Sequence, residues 1–537
     1  MNASEPVDLL IVGGGVNGTG IARDAAGRGL SVVLCEQDDL AQHTSSASSK
    51  LVHGGLEALA RHEFRRVRAA LQERALLLRA APHIVWPLRF VLPHDRRRRS
   101  AWLTRLGLLL YDQLGGRGAL PAARMLDLAQ DPAGAPLRPE FGRGFAYADC
   151  WVDDARLVVL NALDAAERGA EILTRTRCTL ARRANALWYA ELTPRAGGPA
   201  RTLRARALVN ATGPWVARFL AEQLPAPAPR AVRLIKGVHI VVPRLYDHPD
   251  PYVLPDEDGR LLFVMPYEQS FTPIGTTAED HDGEPDALVA SDIEILYLCR
   301  AVSRYLRQPV RSDQVVWSYA GVRSRPEDAG GKGGRAGDDE VLELDTRAGD
   351  APLLSVCGGR ITTHRALAER ALAMLQPALG FERGAWTAGA TLPGGDLPAG
   401  DFDRFLRALQ DERPWLPAAL ARRYARAYGT RVERLLESAG RLEDLGEPLG
   451  EGLYAAEVDY LVREEWAQTE EDVLFRRSKL GLHVADQTRQ WLAAWLARDR
   501  TGAARSPDLR EGLEIASSAP APQEVAPVAQ QDRASDS

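Results

Sequence analysis

The chain has 537 residues, 45% of them apolar and 26% charged, with a formal net charge of −5. That length exceeds one ordinary core and predicts two or three domains. The charge excludes a general affinity for nucleic acid or for anionic membrane, so either contact needs a local basic patch.

Val7 to Val12 is a short apolar run ended by Gly13-Gly14-Gly15, the pattern of a buried parallel strand. Asn17 to Gly29, rich in small residues, reads as a helix, and Ser31 to Cys35 as a second buried strand ending at Glu36. Residues 44–56 then read TSSASSKLVHGGL. Such serine density ordinarily marks a solvated linker, yet this one follows a βαβ unit and runs into a helical pattern from about Glu57 to Ala80, closed by Pro82. In residues 94–114, Arg96 to Arg99 precede Trp102, Leu103, Leu106, Leu108, Leu109, Leu110 and Tyr111. A basic cluster beside an aromatic and apolar helix suits the interface of an anionic membrane. A solvated charge run before a core helix is the plainer alternative.

From Trp151 an amphipathic helix begins, with Asp153 or Asp154 as its N-cap. Ala207 to Asn210 is a strand running into Ala211-Thr212-Gly213, residues 232–277 are rich in strands, and residues 315–322 form another. Residues 329–340, glycine-rich, are expected to be a flexible loop. PLLSVCGGRITTHRALAERALAML reads strand, glycine pair, helix. Residues 400–500 are mostly helical, and from about Thr501 the chain turns to Ala, Pro, Ser and Gln and is expected to be disordered. Five cysteines lie far apart without a C-x-x-C pair, which indicates neither zinc nor a disulfide framework and favours a reducing compartment. The N-terminus lacks the features of a signal peptide, and no stretch reaches the roughly 20 apolar residues of a membrane span. The expectation is a soluble or peripherally bound protein on the cytoplasmic side.

Gly13, Gly15 and Gly18 form G-x-G-x-x-G, which alone is a weak signal. Here it follows a strand, opens a helix and is answered by the acidic Glu36 at the next strand end, as a dinucleotide site requires. Gly13 permits the tight turn, Gly15 lets a pyrophosphate approach the helix N-terminus, Gly18 lets helix and strand pack closely, and Glu36 accepts from ribose hydroxyls. A glycine-rich turn without ligand is the bland reading. The parallel sheet does not continue as in NAD enzymes. Two distant glycine segments, Ala211-Thr212-Gly213 and Gly358-Gly359, favour the longer FAD.

The segments IVGGGVNGTGIARDAAGRGLSVVLCE, TSSASSKLVHGG, YADCWVDDARL, LVNATGPWV, RLIKGVHIVVP, IGTT, AGVR and LLSVCGGRITTHRALAE together resemble the FAD-dependent, quinone-linked glycerol-3-phosphate dehydrogenases. The resemblance runs from about residue 7 to about 500. It implies an α/β fold with a glutathione-reductase-like, Rossmann-type FAD-binding domain (1–75, 150–230 and 345–380), a mixed-sheet substrate and membrane-proximal domain (76–149 and 231–344), and an α-helical C-terminal domain (385–500) before the tail 501–537. It implies hydride transfer from C2 of glycerol 3-phosphate to flavin N5, with electrons passed to a membrane quinone at the inner face of the cytoplasmic membrane. A homodimer is left open.

The resemblance also places the serine loop along the cofactor. Thr44, Ser45, Ser46, Ser48, Ser49, Lys50, His53 and Gly54 join Gly13, Gly15, Gly18, Glu36, Ala211, Thr212, Gly213, Gly358, Gly359, Arg360 and Thr362 as expected FAD contacts. Short donors and one cation suit a buried polar ligand. For His53, ordinary packing is an equal alternative. The Gly358-Gly359 turn entering a helix directs N–H groups at the flavin N1–O2 edge. Arg323 in AGVR is the candidate for the substrate oxygens, a surface ion pair being the plainer alternative. His239 is the candidate base, with a satisfied core histidine on a strand an equal alternative. Thr276 is the candidate for the lining of the site, and Arg360 is counted with the catalytic groups. Glu279-Asp280-His281-Asp282 reads as a solvated turn rather than a metal site.

Two positions depart from the pattern. The family follows H-G-G-L with Arg-Tyr, both in the active site; here they are Glu57 and Ala58. An anion beside a phosphate dianion disfavours its binding. Arg360 also replaces a customary Lys. Arg61, one turn after Glu57, can reach the same space; otherwise the substrate differs, or the chain is a low-turnover flavin-binding paralogue. A flavin oxidase using oxygen, on glycerol 3-phosphate or an amine, is the further alternative.

Overall fold

The structure is a computed structural model that describes residues 5–95, 101–116, 120–224, 232–257, 259–286, 288–326, 340–346 and 349–501. Arg96 to Arg99, nearly all of the glycine-rich loop and the tail from 502 lie outside the described residues. Residues up to Val484 form one compact unit; Ala485 onward forms a second, whose described part is the helix Asp486–Thr501.

Two sheets organise the first unit. The first has a parallel centre in the order Leu353–Gly358, Arg201–Asn210, Val7–Val12, Val32–Cys35, Glu171–Leu173. Side chains alternate across a strand, and both faces here are covered. Leu9 and Ile11 pack with Ile21, Ala25, Leu157, Leu160, Leu367 and Leu372 under the helices Val16–Gly27, Asp154–Glu167 and His364–Leu379. Leu10 and Val12 face the opposite way, against Trp188, Ala190 and Leu203 of the antiparallel strands beside them.

The second sheet is ten-stranded and mixed. Its long strand Val232–Pro243 pairs antiparallel with Trp317–Pro326, which sets His239 opposite Tyr319 and Ile235 opposite Arg323. The serine loop joins the two sheets: its end, Leu51–Val52, pairs with Cys150 and Trp151 in the second sheet. The loop therefore has to cross the space between them.

After the two sheets come the helices Phe402–Glu412, Ala418–Tyr428 and Ala455–Glu465, and buried guanidinium groups fasten the last of these, with the segment Asp472–Arg477 that follows it, to the rest of this unit. Arg156 pairs with Glu465, and Arg476 and Arg477 both hold Asp39, at 2.7 and 2.8 Å. A planar fork with several donors suits a buried carboxylate better than a lysine does.

The helix expected from Glu57 to Ala80 is two helices, Leu56–Ala60 and Phe64–Ala80. The break is a Schellman turn. His62 takes a left-handed φ of 63°, its N–H donates to the Leu59 carbonyl, and the Glu63 N–H donates to the Ala58 carbonyl at 3.0 Å. A histidine fills the position where glycine is usual, which hid the stop from the sequence.

Candidate active site

The first βαβ unit builds a cradle from backbone. Gly13 has φ of +116°, and a Cβ there would stand 2.4 Å from the Ala211 carbonyl oxygen. A Cβ on Gly18 would lie 1.9 Å from the Gly13 oxygen, so helix and turn touch only because both lack side chains. Gly15 is the N-cap of the helix Val16–Gly27 and stands between two joined lobes of one cleft. Glu36 is buried, accepts from the Gly14 N–H at 2.6 Å and from the Asp38 N–H at 2.9 Å, and burial raises its pKa. The first lobe, about 190 Å³, is lined by Glu36, Thr176, Cys178, Ala211, Thr212 and Gly213 among others.

The serine loop divides by function. Ser45 Oγ accepts from the Val16 N–H at 3.0 Å, Thr44 Oγ1 donates to the Val322 carbonyl, and Ser49 Oγ shares a 3.0 Å hydrogen bond with His239 Nε2. Thr44, Ser45, Ser48, Ser49 and His53 line the cleft. Three expected contacts do not. Lys50 turns inward, its ammonium 3.0 Å from both oxygens of the buried Asp154. Ser46 donates to the His43 carbonyl and its own carbonyl receives Lys50. Gly54 is a packing residue, its N–H on Tyr111 Oη at 2.7 Å, because a Cβ there would strike Leu71 and Tyr111. Gly55 lines the cleft in its place. Asp153 is the helix N-cap, accepting from the Arg156 N–H, which leaves Asp154 for Lys50.

The second lobe, about 410 Å³, holds the remaining candidates. His239 is buried, stacks on Tyr319 with centroids 4.7 Å apart, and has a buried Nδ1 without a hydrogen-bond partner. Burial, with Lys50 nearby, pushes its pKa down to about 3, so the imidazole is neutral. That corrects the expected working pKa near neutrality. His53 is likewise pushed to about 4 by burial and by Arg360, and its N–H donates to Thr362 Oγ1 at 3.3 Å. Thr276 Oγ1 donates to the Thr277 carbonyl and lines the lobe. Gly358 and Gly359 both have positive φ, and they lead through Arg360 and a short 3-10 turn, Ile361–Thr363, into the helix His364–Leu379.

At the mouth, Arg323 and Arg360 both have lowered pKa values, first from burial, with the Arg360 guanidinium adding its repulsion at Arg323. Glu57 works against that lowering at both, beside Glu340 at Arg360. Arg61 lies 3.4 Å from Glu57 across one helical turn, and both side chains stay about half exposed. Glu57, Ala58 and Arg61 all line the lobe.

Sequence reasoning missed Asn17. Its Nδ2 donates to the Gly358 carbonyl at 2.9 Å, and its Oδ1 is buried without a partner in the second lobe. A polar residue inside the glycine fingerprint was the available signal. An orphaned acceptor beside a glycine cradle, with a helix N-terminus and an acidic strand end, fits the pyrophosphate and ring edge of a flavin dinucleotide. Gly13, Gly15 and Glu36 would hold its adenosine half, and Asn17, Ser49 and the Gly358-Gly359 turn its flavin half.

The fold and cleft define a dinucleotide-binding oxidoreductase. Residues 8–365 match the FAD dependent oxidoreductase family, and residues 385–497 match the C-terminal domain of alpha-glycerophosphate oxidase. A glycerol-3-phosphate dehydrogenase of Pseudomonas aeruginosa is 51% identical over 92% of this chain and 95% of its own. A D-erythritol 1-phosphate dehydrogenase of Brucella abortus is 48% identical over 92% and 98%. The solved glycerol-3-phosphate dehydrogenase of Bacillus halodurans, complexed with FAD, is 27% identical, covers 96% of this chain and 95% of its own, and has a TM-score of 0.74. The chain therefore belongs to the FAD-dependent glycerol-3-phosphate dehydrogenase family, and its cofactor is FAD.

Proposed function

We propose that this enzyme oxidises the secondary alcohol of a phosphorylated polyol to a ketone, as glycerol 3-phosphate is converted to dihydroxyacetone phosphate. The observation that carries the reading is the pair of mutually repelling guanidinium groups, Arg323 and Arg360, facing the second lobe. Like charges held together in a partly desolvated cleft are stabilised by an anion, and a phosphate dianion suits the planar fork of arginine. FAD, when bound, would supply the two-electron acceptor for the hydride that the carbinol carbon loses. The chain's residues hold the phosphate at Arg323 and Arg360 and keep the alcohol beside Ser49 and His239. His239, neutral and hydrogen-bonded through Nε2 to Ser49 Oγ, receives the hydroxyl proton by way of that serine as the C=O bond forms. A pKa near 3 makes it a poor base alone, but a bound anion raises it. The relative named for D-erythritol 1-phosphate supports phosphorylated polyols as the substrate class.

We assign the electrons to a membrane quinone. Among the described residues no helix is long and apolar enough to cross a membrane. The helix Ala101–Gly115 instead exposes Trp102, Leu103, Leu106, Leu109 and Leu110, while Leu108 and Tyr111 anchor it. Such a face supports peripheral seating at an interface. Oxygen as acceptor is a second reading, favoured by the match to the oxidase C-terminal domain.

Anaerobic bleaching of the purified holoenzyme by phosphorylated polyols tests the reaction. We expect bleaching by at least one of them and none by glycerol; no bleaching by any overturns the proposal. Reoxidation by a quinone in liposomes without peroxide supports the quinone, and peroxide formed in air at the turnover rate supports oxygen.

A further inference from the structure

Glu57 and Ala58 stand together at the mouth of the substrate lobe. An anion there cannot replace the cation that would meet a phosphate. Arg323 and Arg360 already supply that charge, and Glu57 acts electrostatically on both. A carboxylate in this place is an acceptor for hydroxyl donors. It pairs with Arg61 at 3.4 Å, both groups half exposed, and such a pairing costs little to open.

Ala58 is nearly fully buried in the cluster that holds Leu51, Val67 and Leu71, and it bounds the same part of the lobe. A Cβ placed on Gly55 would lie 3.7 Å from the Ala58 Cβ and 3.8 Å from Arg360 Nη1, so these two groups flank one point of the wall. The Schellman turn that ends the helix Leu56–Ala60 fixes where Glu57 and Arg61 project.

We propose that the preferred substrate is a polyol phosphate of four or five carbons, with Arg323 and Arg360 on the phosphate and Glu57 receiving the extra hydroxyls. This rests on the proposed oxidation of phosphorylated polyols and names its substrate class. The reaction balance is unchanged: the secondary C–H bond gives its electron pair to the bound flavin, the hydroxyl proton leaves, and a ketone forms.

The test is kcat/KM of the holoenzyme for glycerol 3-phosphate, D-erythritol 1-phosphate and a pentitol 5-phosphate, with anaerobic bleaching by each. A longer polyol phosphate is expected to exceed glycerol 3-phosphate by about tenfold or more, since a site that hydrogen-bonds a hydroxyl rejects the analogue lacking it. Glu57→Gln should shrink that ratio several-fold while the flavin stays bound. Glycerol 3-phosphate equal to or better than the longer substrates overturns this inference and leaves the proposed function standing. Bleaching by none of the three overturns both. A ratio untouched by Glu57→Gln, in protein that retains its flavin, removes Glu57 from the role. The wild-type comparison decides the substrate class even if a variant misfolds.

Discussion

The floor and the mouth of the cleft use the same kinds of side chain in opposite ways. On the floor, Lys50 is buried and closed against Asp154, and its pKa is lowered by burial while Asp154 pulls it back. At the mouth, Arg323 is exposed to the cleft and surrounded mainly by like charge. The floor cation is committed within the fold and the mouth cation is not. Lys50 therefore belongs to stability, and under the proposed function Arg323 belongs to binding.

Breaking the floor should have the largest effect. Asp154→Ala leaves the Lys50 ammonium buried without its counter-ion, and we expect a loss of about 3–5 kcal/mol in urea unfolding. The double change Lys50→Met with Asp154→Leu should recover most of it. At the mouth, Arg323→Ala should leave stability within about 0.5 kcal/mol and lower kcat/KM for a phosphorylated polyol about 10- to 100-fold, or about 1.4–2.7 kcal/mol of transition-state binding. Steady-state kinetics beside urea titration read both. An Asp154→Ala protein of normal stability, or an Arg323→Ala protein that unfolds, would break the distinction.

The same division decides what was legible in the sequence. The cradle is made of backbone, and its glycines have no substitute: Gly13 and Gly18 admit no Cβ at all. Constraints of that kind leave a readable spacing, and they sufficed for the fold and the cofactor. Side-chain direction leaves no such trace. Lys50 and Ser49 are consecutive, yet one faces Asp154 and the other His239, because the loop enters the second sheet at Leu51. The base illustrates the same limit. His239 looks titratable in sequence, but its pKa depends on burial under Tyr319 and on Lys50, which only the packed sheets provide.

Buried histidines supply the subtlest way to separate floor from mouth. Burial pushes His53 and His364 to about 4 and His83 and His239 to about 3. In the unfolded chain a histidine titrates near 6.5. Above that pH the group is neutral in both states and contributes nothing to the pH dependence. Below it the unfolded chain takes up the proton and the native one does not until pH 3–4, so stability falls with falling pH, by at most about 1.4 kcal/mol per pH unit for each group. Asp149, raised to about 6, and Glu268, raised to about 7, act in the opposite sense, because the native state binds their protons first. The histidines outnumber them, and a net loss is expected between pH 6 and 5. His83 is the cleanest probe. It packs against Gly394 and Gly429 and does not line the cleft. His83→Leu should flatten the urea midpoint against pH by about one group's share while leaving the pH profile of kcat/KM unmoved. His239 differs: an anion in the mouth raises its pKa, so a bound polyol phosphate should flatten the same curve in the wild type and in His83→Leu alike. Stability that stays level from pH 7 to 5 would show that the buried rings are not held neutral, and that floor and mouth do not differ in the way their charges are held.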